Sequence, residues 1–324
     1  MITRKPIPTN INTQDYNNHN LHEYTPYILK DDTILIDETW YNSLTPYIQK
    51  LIQTRLKNNF TLGQVQVPHE YQIDNENKYL TTIYQSYLNG FDYNIWYSPY
   101  IINGPKNAQI IHIPDITKKV LLQMHESQKY IPDINLSRFE KKIRRHMTPN
   151  TNYFVRLSST SGKNEKPVEP FNDVHKIITH LCSVKLFAEQ EFSKDKDTYL
   201  ILVPWQDKID SRCEFRIFVV NKKLVAASPQ RFWELQQYSI EELEDISYAL
   251  TNIKFINDVI YTTFVGDVYI DIETKVCHLI ELNPFGAHSG AGSSLFNWKT
   301  DYDLLHGINH YKEIELRYLS AINY

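Results

Sequence analysis

The order of apolar patterns along this chain predicts an α+β protein, and three observations support that prediction. After Pro149 the sequence alternates β-rich apolar runs with segments of helical period. The turn signal at residues 221–223 separates two such runs, as expected for a hairpin. A capping box formed by Ser239 and Glu242 opens a helix before the last strands. The C-terminal half is therefore predicted to be a β-rich α+β domain.

The composition bounds the class of protein. The chain has 324 residues, 42% of them hydrophobic and 13% aromatic, as in a globular protein with a substantial core. Its net charge is −4, with 34 basic and 38 acidic side chains, so direct nucleic-acid binding is not expected. The three cysteines lack metal-ligand spacing and fit a reducing compartment. No apolar segment resembles a signal peptide or a membrane span, which predicts a soluble cytoplasmic protein without membrane contact.

The N-terminal half contains fewer regular patterns. Residues 1–22 are polar and asparagine-rich, and they are predicted to form a flexible arm. Helices are predicted at residues 46–58, 115–130 and 137–147, and mixed strands and turns at residues 79–113. The last of these helices carries a basic run at its end, which we interpret as a solvated helix face.

The C-terminal half contains the predicted strands and two further helices. One helix covers residues 173–184, with an apolar face and a cap at Asn172 or Asp173, and the other begins at Ser239. Five runs are interpreted as strands before the second helix: NYFVRLSS, KLFAEQEF, TYLILVPW, CEFRIFVV and LVAAS.

Two acids and an amide near the C-terminus form the most informative pattern. If the segment FVGDVYIDIETKVCHLIELN is a hairpin centred on Thr274, Asp267 lies opposite Glu281, and Asn283 shares their face. Like charges on directly opposed residues destabilise a sheet, so a divalent cation between them would explain the pattern. Oxygen ligands of this kind suit Mg²⁺, whose shell is completed by water and phosphate. The pattern therefore predicts a function that involves Mg²⁺ and a nucleotide.

The alternative is a solvent-facing pair of strands whose acids keep the sheet soluble. A register slip of one residue would move each side chain of one strand to the other face. In the predicted register the core face contains Val268, Ile270, Ile272, Ile280 and Leu282.

A hydroxyl-rich loop, RLSSTSGKN, follows the strand that ends near Arg156. Backbone N–H groups of such a loop can bind phosphate, with Arg156 and Lys163 on either side. The sequence is not a P-loop, because GxxxxGK[ST] is absent. The alternative is a flexible Ser/Gly connector.

Two strands offer further contacts to a nucleotide. Glu214 and Arg216 share one strand face, where Arg216 could bind a polyphosphate and Arg231 could converge with it. The alternative is a surface ion pair. The strand that ends in Trp205 could present its backbone to a purine, or it could be a central core strand.

Taken in order, the segments FVRLSSTSGKN, LVPW, CEFRIFVVNKKLVAASPQR, GDVYID and LIELNPFG…SLFNW resemble the cell division cycle protein 123 family over roughly residues 150–300. The resemblance implies an ATP-grasp-like fold, with two α+β subdomains enclosing a nucleotide cleft. It also implies ATP and Mg²⁺ as ligands, and a role as an assembly factor that binds the gamma subunit of translation initiation factor 2.

The resemblance extends to individual site residues. It implies that Asp267, Glu281 and Asn283 bind Mg²⁺ and contact ATP. The further ATP-contacting positions are Arg156, Ser159, Ser161, Gly162, Lys163, Val203, Pro204, Trp205, Glu214, Arg216 and Arg231. Three departures stand out: Arg156 replaces a common Lys, Glu281 replaces a common Asp, and the 158–159 pair replaces Asn-Trp. These substitutions keep the charges and the oxygen-containing groups of the site, so nucleotide binding is still expected. A divergent relative can nevertheless have a different protein partner.

The implied organisation has four parts: a flexible arm at 1–22, a mixed α/β region at 23–149, a first ATP-grasp-like subdomain at 150–205, and a second at 206–324 that carries the Mg²⁺ site. Two functions compete within this fold. The first is the ATP-binding assembly factor, a chaperone without obligatory chemistry. The second is an ATP-grasp ligase that couples a carboxylate to an amine through an acyl phosphate. No separate acceptor pocket is evident in the sequence, and the Lys-x-Asp-Gly signature of a nucleic-acid ligase is absent.

Overall fold

The structure is a computed structural model. It describes residues 2–8, 27–28, 34–37, 60–63, 90–162, 169–193, 196–232, 237–286, 292–298, 300–308 and 314–320. The helix predicted at 46–58 lies outside these residues, as do Lys163 and most of the predicted arm.

The chain divides into two compact units, and each is described by itself. Unit 1 combines residues 1–88 with residues 208–324, and unit 2 comprises residues 89–207. The described strands are β1 (Ile2–Pro8), β2 (Tyr27–Ile28), β3 (Ile34–Asp37), β4 (Phe60–Gly63), β5 (Gln109–Ile113), β6 (Tyr153–Leu157), β7 (Thr198–Pro204), β8 (Glu214–Val220), β9 (Lys223–Pro229), β10 (Phe264–Asp271), β11 (Val276–Asn283) and β12 (Ile314–Ser320).

The described helices are α1 (Tyr93–Trp96), α2 (Asp115–Ser127), α3 (Ile134–His146), α4 (Val174–Ser183), α5 (Lys185–Phe187), α6 (Ile240–Thr251) and α7 (Tyr302–Leu305). A π-helix, Ala188–Phe192, continues directly from α5. Short 3₁₀ helices occur at Ser211–Cys213 and Phe255–Asn257. The α+β class predicted from the sequence is confirmed by this mixture of elements.

Unit 1 contains a six-stranded sheet of order β1-β12-β9-β8-β10-β11. Strands β8, β9, β10 and β11 pair antiparallel, while β12 pairs in parallel with both β1 and β9. Residues 2–8, which the sequence analysis assigned to a flexible arm, form the edge strand β1. A separate three-stranded sheet, β2-β3-β4, also belongs to this unit.

Both faces of the six-stranded sheet carry buried side chains. Phe215 and Ile217 point to one face and are fully buried, as the alternation in CEFRIFVV predicts. Phe218 points to the other face, where the rings of Phe296 and Trp298 pack edge-on at 5.4 Å and 5.6 Å between centroids. The segment that follows β11 therefore covers part of this second face.

Unit 2 is a three-stranded antiparallel sheet of order β5-β7-β6, packed against α2, α3 and α4. The helices predicted at 115–130, 137–147 and 173–184 are confirmed, and Asp173 caps α4 by accepting a hydrogen bond from the Lys176 amide. The core joins apolar residues from both layers. Its fully buried members include Ile111, Leu121, Leu136, Ile143, Leu157, Ile177 and Leu200.

One predicted strand is wrong. The segment KLFAEQEF forms α5 and the π-helix rather than a strand. Its alternation of apolar and polar residues is short, and the side chains of Phe187 and Phe192 are buried by tertiary packing in the helical form. Helix α4 ends at Ser183, and Val184 is the single residue between it and α5. The chain therefore continues into a second helix at this point and does not return to the sheet.

The capping box predicted from the sequence is present at the start of α6. The Ser239 hydroxyl accepts from the Glu242 amide at 3.1 Å, and the Glu242 carboxylate accepts from the Ser239 amide at 2.7 Å.

We predict that Ser239→Ala lowers the free energy of unfolding by about 1 kcal/mol, because an N-terminal amide loses its acceptor. Urea unfolding monitored by circular dichroism measures this change. Ser239→Asp retains an acceptor and should be nearly neutral, and equal losses in both variants would contradict the capping role.

Candidate functional site

A polar row crosses the six-stranded sheet of unit 1. Arg216 on β8 is paired with Asp267 on β10, and Asp267 is paired on its other side with Glu281 on β11. Asn283 lies two residues beyond Glu281 on the same strand. The structure therefore places the three predicted Mg²⁺ ligands next to one another on neighbouring strands, as predicted for the hairpin, and it adds Arg216 beside Asp267.

Asp267 is paired with Glu281 as predicted, but the strand register near the turn differs from the predicted one. The last ladder pair before the turn is Asp271 with Val276, so the turn is one residue out of the predicted register. A β-bulge between Asp267 and Val268 then restores the predicted pairing. Before the bulge, Cys277 and Leu279 take the core positions on β11. The predicted core placement of Ile272 and Ile280 is wrong, because both are only half-buried.

Asp267 is the most deeply buried member of the row, with 7% of its surface exposed. Its carboxylate accepts two hydrogen bonds from the Arg216 guanidinium, Nε to Oδ1 at 2.9 Å and Nη2 to Oδ2 at 3.0 Å. Gln230 and Asn283 donate their side-chain amides to Oδ2 at 3.2 Å and 3.3 Å. This bidentate geometry is the strongest form of an ion pair between arginine and a carboxylate.

Several buried polar atoms around this row have no hydrogen-bond partner among the described residues. They are Ser228 Oγ, Gln230 Oε1 and Ser294 Oγ. Ser228 is the ladder partner of Arg216, and Gln230 contacts Asp267 directly. Ser294 lies two residues after Gly292, whose carbonyl accepts from Arg216 Nη1 at 3.3 Å. A buried polar atom without a partner costs about 1–3 kcal/mol, so a polar ligand at this row would satisfy otherwise costly groups.

Ser228 and Gln230 are site residues that the sequence analysis did not single out. They lie two apart on and just after β9, and Ser228 is paired with Arg216. The spacing of two in LVAASPQ was a usable signal, because alternate residues of a strand share a face.

The other predicted positions in unit 1 lie near the row but with different exposure. Glu214 is half-buried and is paired with Tyr269, two ladder positions along the strand from the pair of Arg216 and Asp267. Arg231 is exposed just after β9. Tyr269 stacks on His278 at 4.6 Å between ring centroids, and burial lowers the pKa of His278 while nearby Asp271 opposes that shift. The polar face thus extends from Asn283 to this aromatic pair.

The side-chain oxygen atoms of the row suit a hard cation as metal ligands. Asp267, Glu281 and Asn283 offer oxygen atoms only, the chemistry that Mg²⁺ prefers. Two carboxylates and one guanidinium leave a net charge of −1, which attracts a cation. Within the part of the chain that the structure describes, no cluster of three or more His, Cys, Asp or Glu side chains could hold a metal. A cation here would therefore depend on these two acids, the amide oxygen and oxygens from a ligand.

Unit 2 contains the predicted phosphate loop, residues 158–162. The Leu157 amide donates to the Thr160 carbonyl at 2.9 Å, which closes a tight turn after β6. Gly162 has φ +65°, and a Cβ there would lie 2.8 Å from the Phe187 ring, so a side chain is excluded. Ser159 is exposed and Ser161 half-buried. The loop is thus an ordered turn rather than a flexible connector as far as Gly162.

Arg156 lies inside unit 2 rather than on its surface. Only 4% of the residue is exposed, and its guanidinium stacks over the Tyr93 ring at 5.1 Å from the centroid. Its Nε donates to the Leu157 carbonyl at 3.2 Å. The planar guanidinium is therefore held in one orientation beside the loop.

Two charged residues beside the loop were missed by the sequence analysis, Glu191 in the π-helix and Lys196 before β7. Both carboxylate oxygens of Glu191 accept hydrogen bonds, one from Ser159 and the other from Lys196 at 3.2 Å. No sequence pattern indicates a role for Glu191, because the alternation in its segment predicts a strand rather than the π-helix.

Burial raises the pKa of Asp92 from 3.8 to about 6. Lys196 and Arg156 oppose this shift, and Glu191 adds to it.

The predicted purine-facing segment ends the central strand of unit 2. Val203 and Pro204 pair with Phe154 and Tyr153 of β6, while the pairing of β7 with β5 ends at Leu202. The Trp205 amide donates to the Asn152 carbonyl at 2.8 Å. Val203, Pro204 and Trp205 are all half-buried, so this end of β7 combines a fixed backbone with partly accessible atoms.

Those predicted ATP-contacting residues that the structure describes therefore form two groups, one in each unit of an α+β fold. A family model described as D123 matches residues 171–323. A CDC123-like protein of Acanthamoeba polyphaga mimivirus is 24% identical over 319 residues, which cover 91% of this chain and 93% of that protein. Together with the structural matches that follow, these findings support the resemblance of the chain to the Cdc123 family.

Two solved structures share the fold. Cdc123 from Schizosaccharomyces pombe aligns with a TM-score of 0.56 at 20% identity, covering 72% of this chain and 97% of that chain. Its C-terminally truncated form aligns with a TM-score of 0.55 at 21% identity, with the same coverage of 72% and 97%. These alignments confirm that the chain shares the Cdc123 fold expected from the resemblance. None of the described helices is both long and apolar enough to span a bilayer.

The shifted pKa of Asp92 predicts a pH-dependent stability. Because its folded pKa lies above 3.8, protonation stabilises the folded state below pH 3.8, and this stabilisation is lost as the pH rises through about 6. We predict that Asp92→Asn raises the melting temperature relative to wild type at neutral pH, and that the difference shrinks at acidic pH. Thermal unfolding across this range measures the effect.

The matched control for Asp92 is Glu126→Gln, which removes an exposed carboxylate from α2 in the same unit. It should not reproduce the pH-dependent difference. A melting-temperature difference for Asp92→Asn that stays constant from acidic to neutral pH would contradict the proposed burial effect.

Proposed function

We propose that this protein binds ATP with Mg²⁺ and acts as a cytoplasmic assembly factor for translation initiation factor 2, through contact with the gamma subunit of that factor. The observation that carries the nucleotide part is the polar row of Arg216, Asp267 and Glu281 with Asn283 beside it. The partner follows from the match to the D123 family model and from the resemblance set out above.

The charges of the row support a metal nucleotide rather than a free anion. Asp267 and Glu281 repel a phosphate, but they bind a cation that brings the phosphate with it. Arg216 then adds a planar donor that suits phosphate oxygens. Mg²⁺, when bound, neutralises phosphate charge, and Asp267, Glu281 and Asn283 are the groups that would hold it. Arg216 and the amide of Gln230 keep the Asp267 carboxylate in place.

The unpartnered atoms beside the row support the same proposal. Ser228 Oγ, Gln230 Oε1 and Ser294 Oγ require polar partners, and a hydrated metal triphosphate supplies both donors and acceptors. An apolar ligand would leave these atoms unsatisfied. The row therefore favours a highly polar ligand.

Unit 2, taken by itself, has features that suit parts of a nucleotide. The ordered loop at 158–162 and the cations beside it suit phosphate. The half-buried end of β7 offers backbone atoms and the Trp205 ring to a flat base.

We predict that isothermal titration calorimetry of the full chain detects ATP binding that requires Mg²⁺. Asp267→Asn and Asn283→Ala should each weaken binding at least tenfold, about 1.4 kcal/mol, because each removes an oxygen contact or its support. Glu273→Gln is the control, since this exposed acid lies in the turn of the same hairpin, outside the row. Unchanged affinity in both site variants would exclude the proposed site.

We also predict a direct complex with the gamma subunit of translation initiation factor 2. Purified wild-type protein with ATP and Mg²⁺ should retain the gamma subunit in a pull-down experiment. Asp267→Asn should retain less, because a nucleotide changes a binding equilibrium through its different affinity for the free and bound states. If wild type binds ATP but never retains the subunit, the nucleotide site stands and the proposed client is wrong.

A further inference from the structure

Glu191 organises the loop at residues 158–162 from inside unit 2. The residue is fully buried, with 0% of its surface exposed. Its Oε1 accepts from the Ser159 amide at 3.2 Å and from the Ser159 hydroxyl, and its Oε2 contacts the Lys196 ammonium at 3.2 Å. Thr198 Oγ1 also lies 3.4 Å from Oε2. Each oxygen of this buried carboxylate therefore has a polar partner.

The π-helix places Glu191 at this position. Ala188–Phe192 follows α5 directly and is short, as π-helical turns usually are. Its wider turn directs Glu191 inward while Phe187 and Phe192 are buried in the core of the unit. π-helical turns occur frequently at functional sites.

Lys196 is the accessible cation of this cluster. Its Nζ lies 3.2 Å from Glu191 Oε2 and 3.1 Å from Ser159 Oγ, and 22% of its side chain is exposed. An ammonium group has three N–H donors, and two are directed at these partners. Among the described residues no third acceptor for Nζ is found, so one donor remains on the partly exposed side.

The other candidates for a phosphate-binding group at the loop are more restricted. Arg156 is 4% exposed and stacked on Tyr93, and the amide and hydroxyl of Ser159 already donate to Glu191. Lys163 lies outside the described residues. Lys196 is therefore the described cation that combines a fixed position beside the loop with access to a ligand.

We infer that Lys196 binds a phosphate group of the nucleotide at this loop, and that Glu191 is a positioning residue that holds both Lys196 and Ser159 for that contact. Ser159 supports the loop and does not itself donate to the ligand. This inference rests on the proposed nucleotide binding and adds two residues to it. The alternative is a purely structural ion pair, which would affect folding but not distinguish one ligand from another.

The experiment compares the affinities of the full chain for ATP, ADP and adenosine, each with Mg²⁺, by isothermal titration calorimetry. Lys196→Met should weaken ATP binding about tenfold or more and leave adenosine binding unchanged, because only the phosphate contact is lost. Lys196→Arg should restore most of the ATP affinity. Glu191→Gln should also weaken ATP more than adenosine, since it releases Lys196 from its position.

Lys185→Met is the matched control, because Lys185 forms an exposed pair with Glu189 at 3.3 Å on the same helical segment. It should bind ATP as wild type does. Lys196→Met leaves Glu191 buried without its cation, so the double variant Glu191→Gln with Lys196→Met guards against misfolding. The double variant should be folded by circular dichroism, bind adenosine normally and lose ATP affinity.

Three outcomes distinguish the inference from the proposed function. Wild-type protein that fails to bind ATP overturns the proposed function and the inference together. ATP binding in wild type with unchanged affinity in Lys196→Met and the folded double variant overturns the inference alone. Equal losses of ATP and adenosine affinity in these variants show a structural role only and also overturn it.

Discussion

The ion pair of Arg216 and Asp267 sets the constraint on which the rest of unit 1 depends. It lies on adjacent central strands of a six-stranded sheet, with each side chain nearly removed from solvent. Burying two charges is costly unless the geometry is good and the remaining atoms have hydrogen bonds. Here the bidentate contact, the amides of Gln230 and Asn283, and the carbonyl of Gly292 meet that requirement.

That requirement also explains how the covering segment is arranged. Phe296 and Trp298 pack on Phe218 at one end of the same sheet face, where the strands are apolar. The carbonyl of Gly292, four residues before Phe296, reaches Arg216 at the start of the polar row. The covering segment thus joins the apolar core to the polar row, and the unpartnered atoms occur along this junction.

In unit 2 a buried carboxylate is also stabilised by polar partners, but it lies beside a loop rather than within a sheet. The buried carboxylate of Glu191 is satisfied by Ser159, Lys196 and Thr198, and these contacts hold the loop in place. An ordered loop loses less conformational entropy on binding than a flexible one. The carboxyl group of Asp92 is buried beside the same charges, and this burial raises its pKa, so its ionised form is disfavoured in the folded state. Both units therefore contain a buried carboxylate, Asp267 or Glu191, that polar and charged neighbours hold in place.

The sequence by itself determined the α+β class, most helices of unit 2 and the alternation of the central strands, because these depend on local periodicity and capping. It also placed Asp267 opposite Glu281, although the turn register was one residue out and a bulge restored the pairing. Only the tertiary structure decided that KLFAEQEF is helical and that Asp267 binds Arg216, Gln230 and Asn283. Bulges, π-helical turns and buried ion pairs depend on packing between segments that are distant in sequence. A local pattern of residues therefore does not predict them.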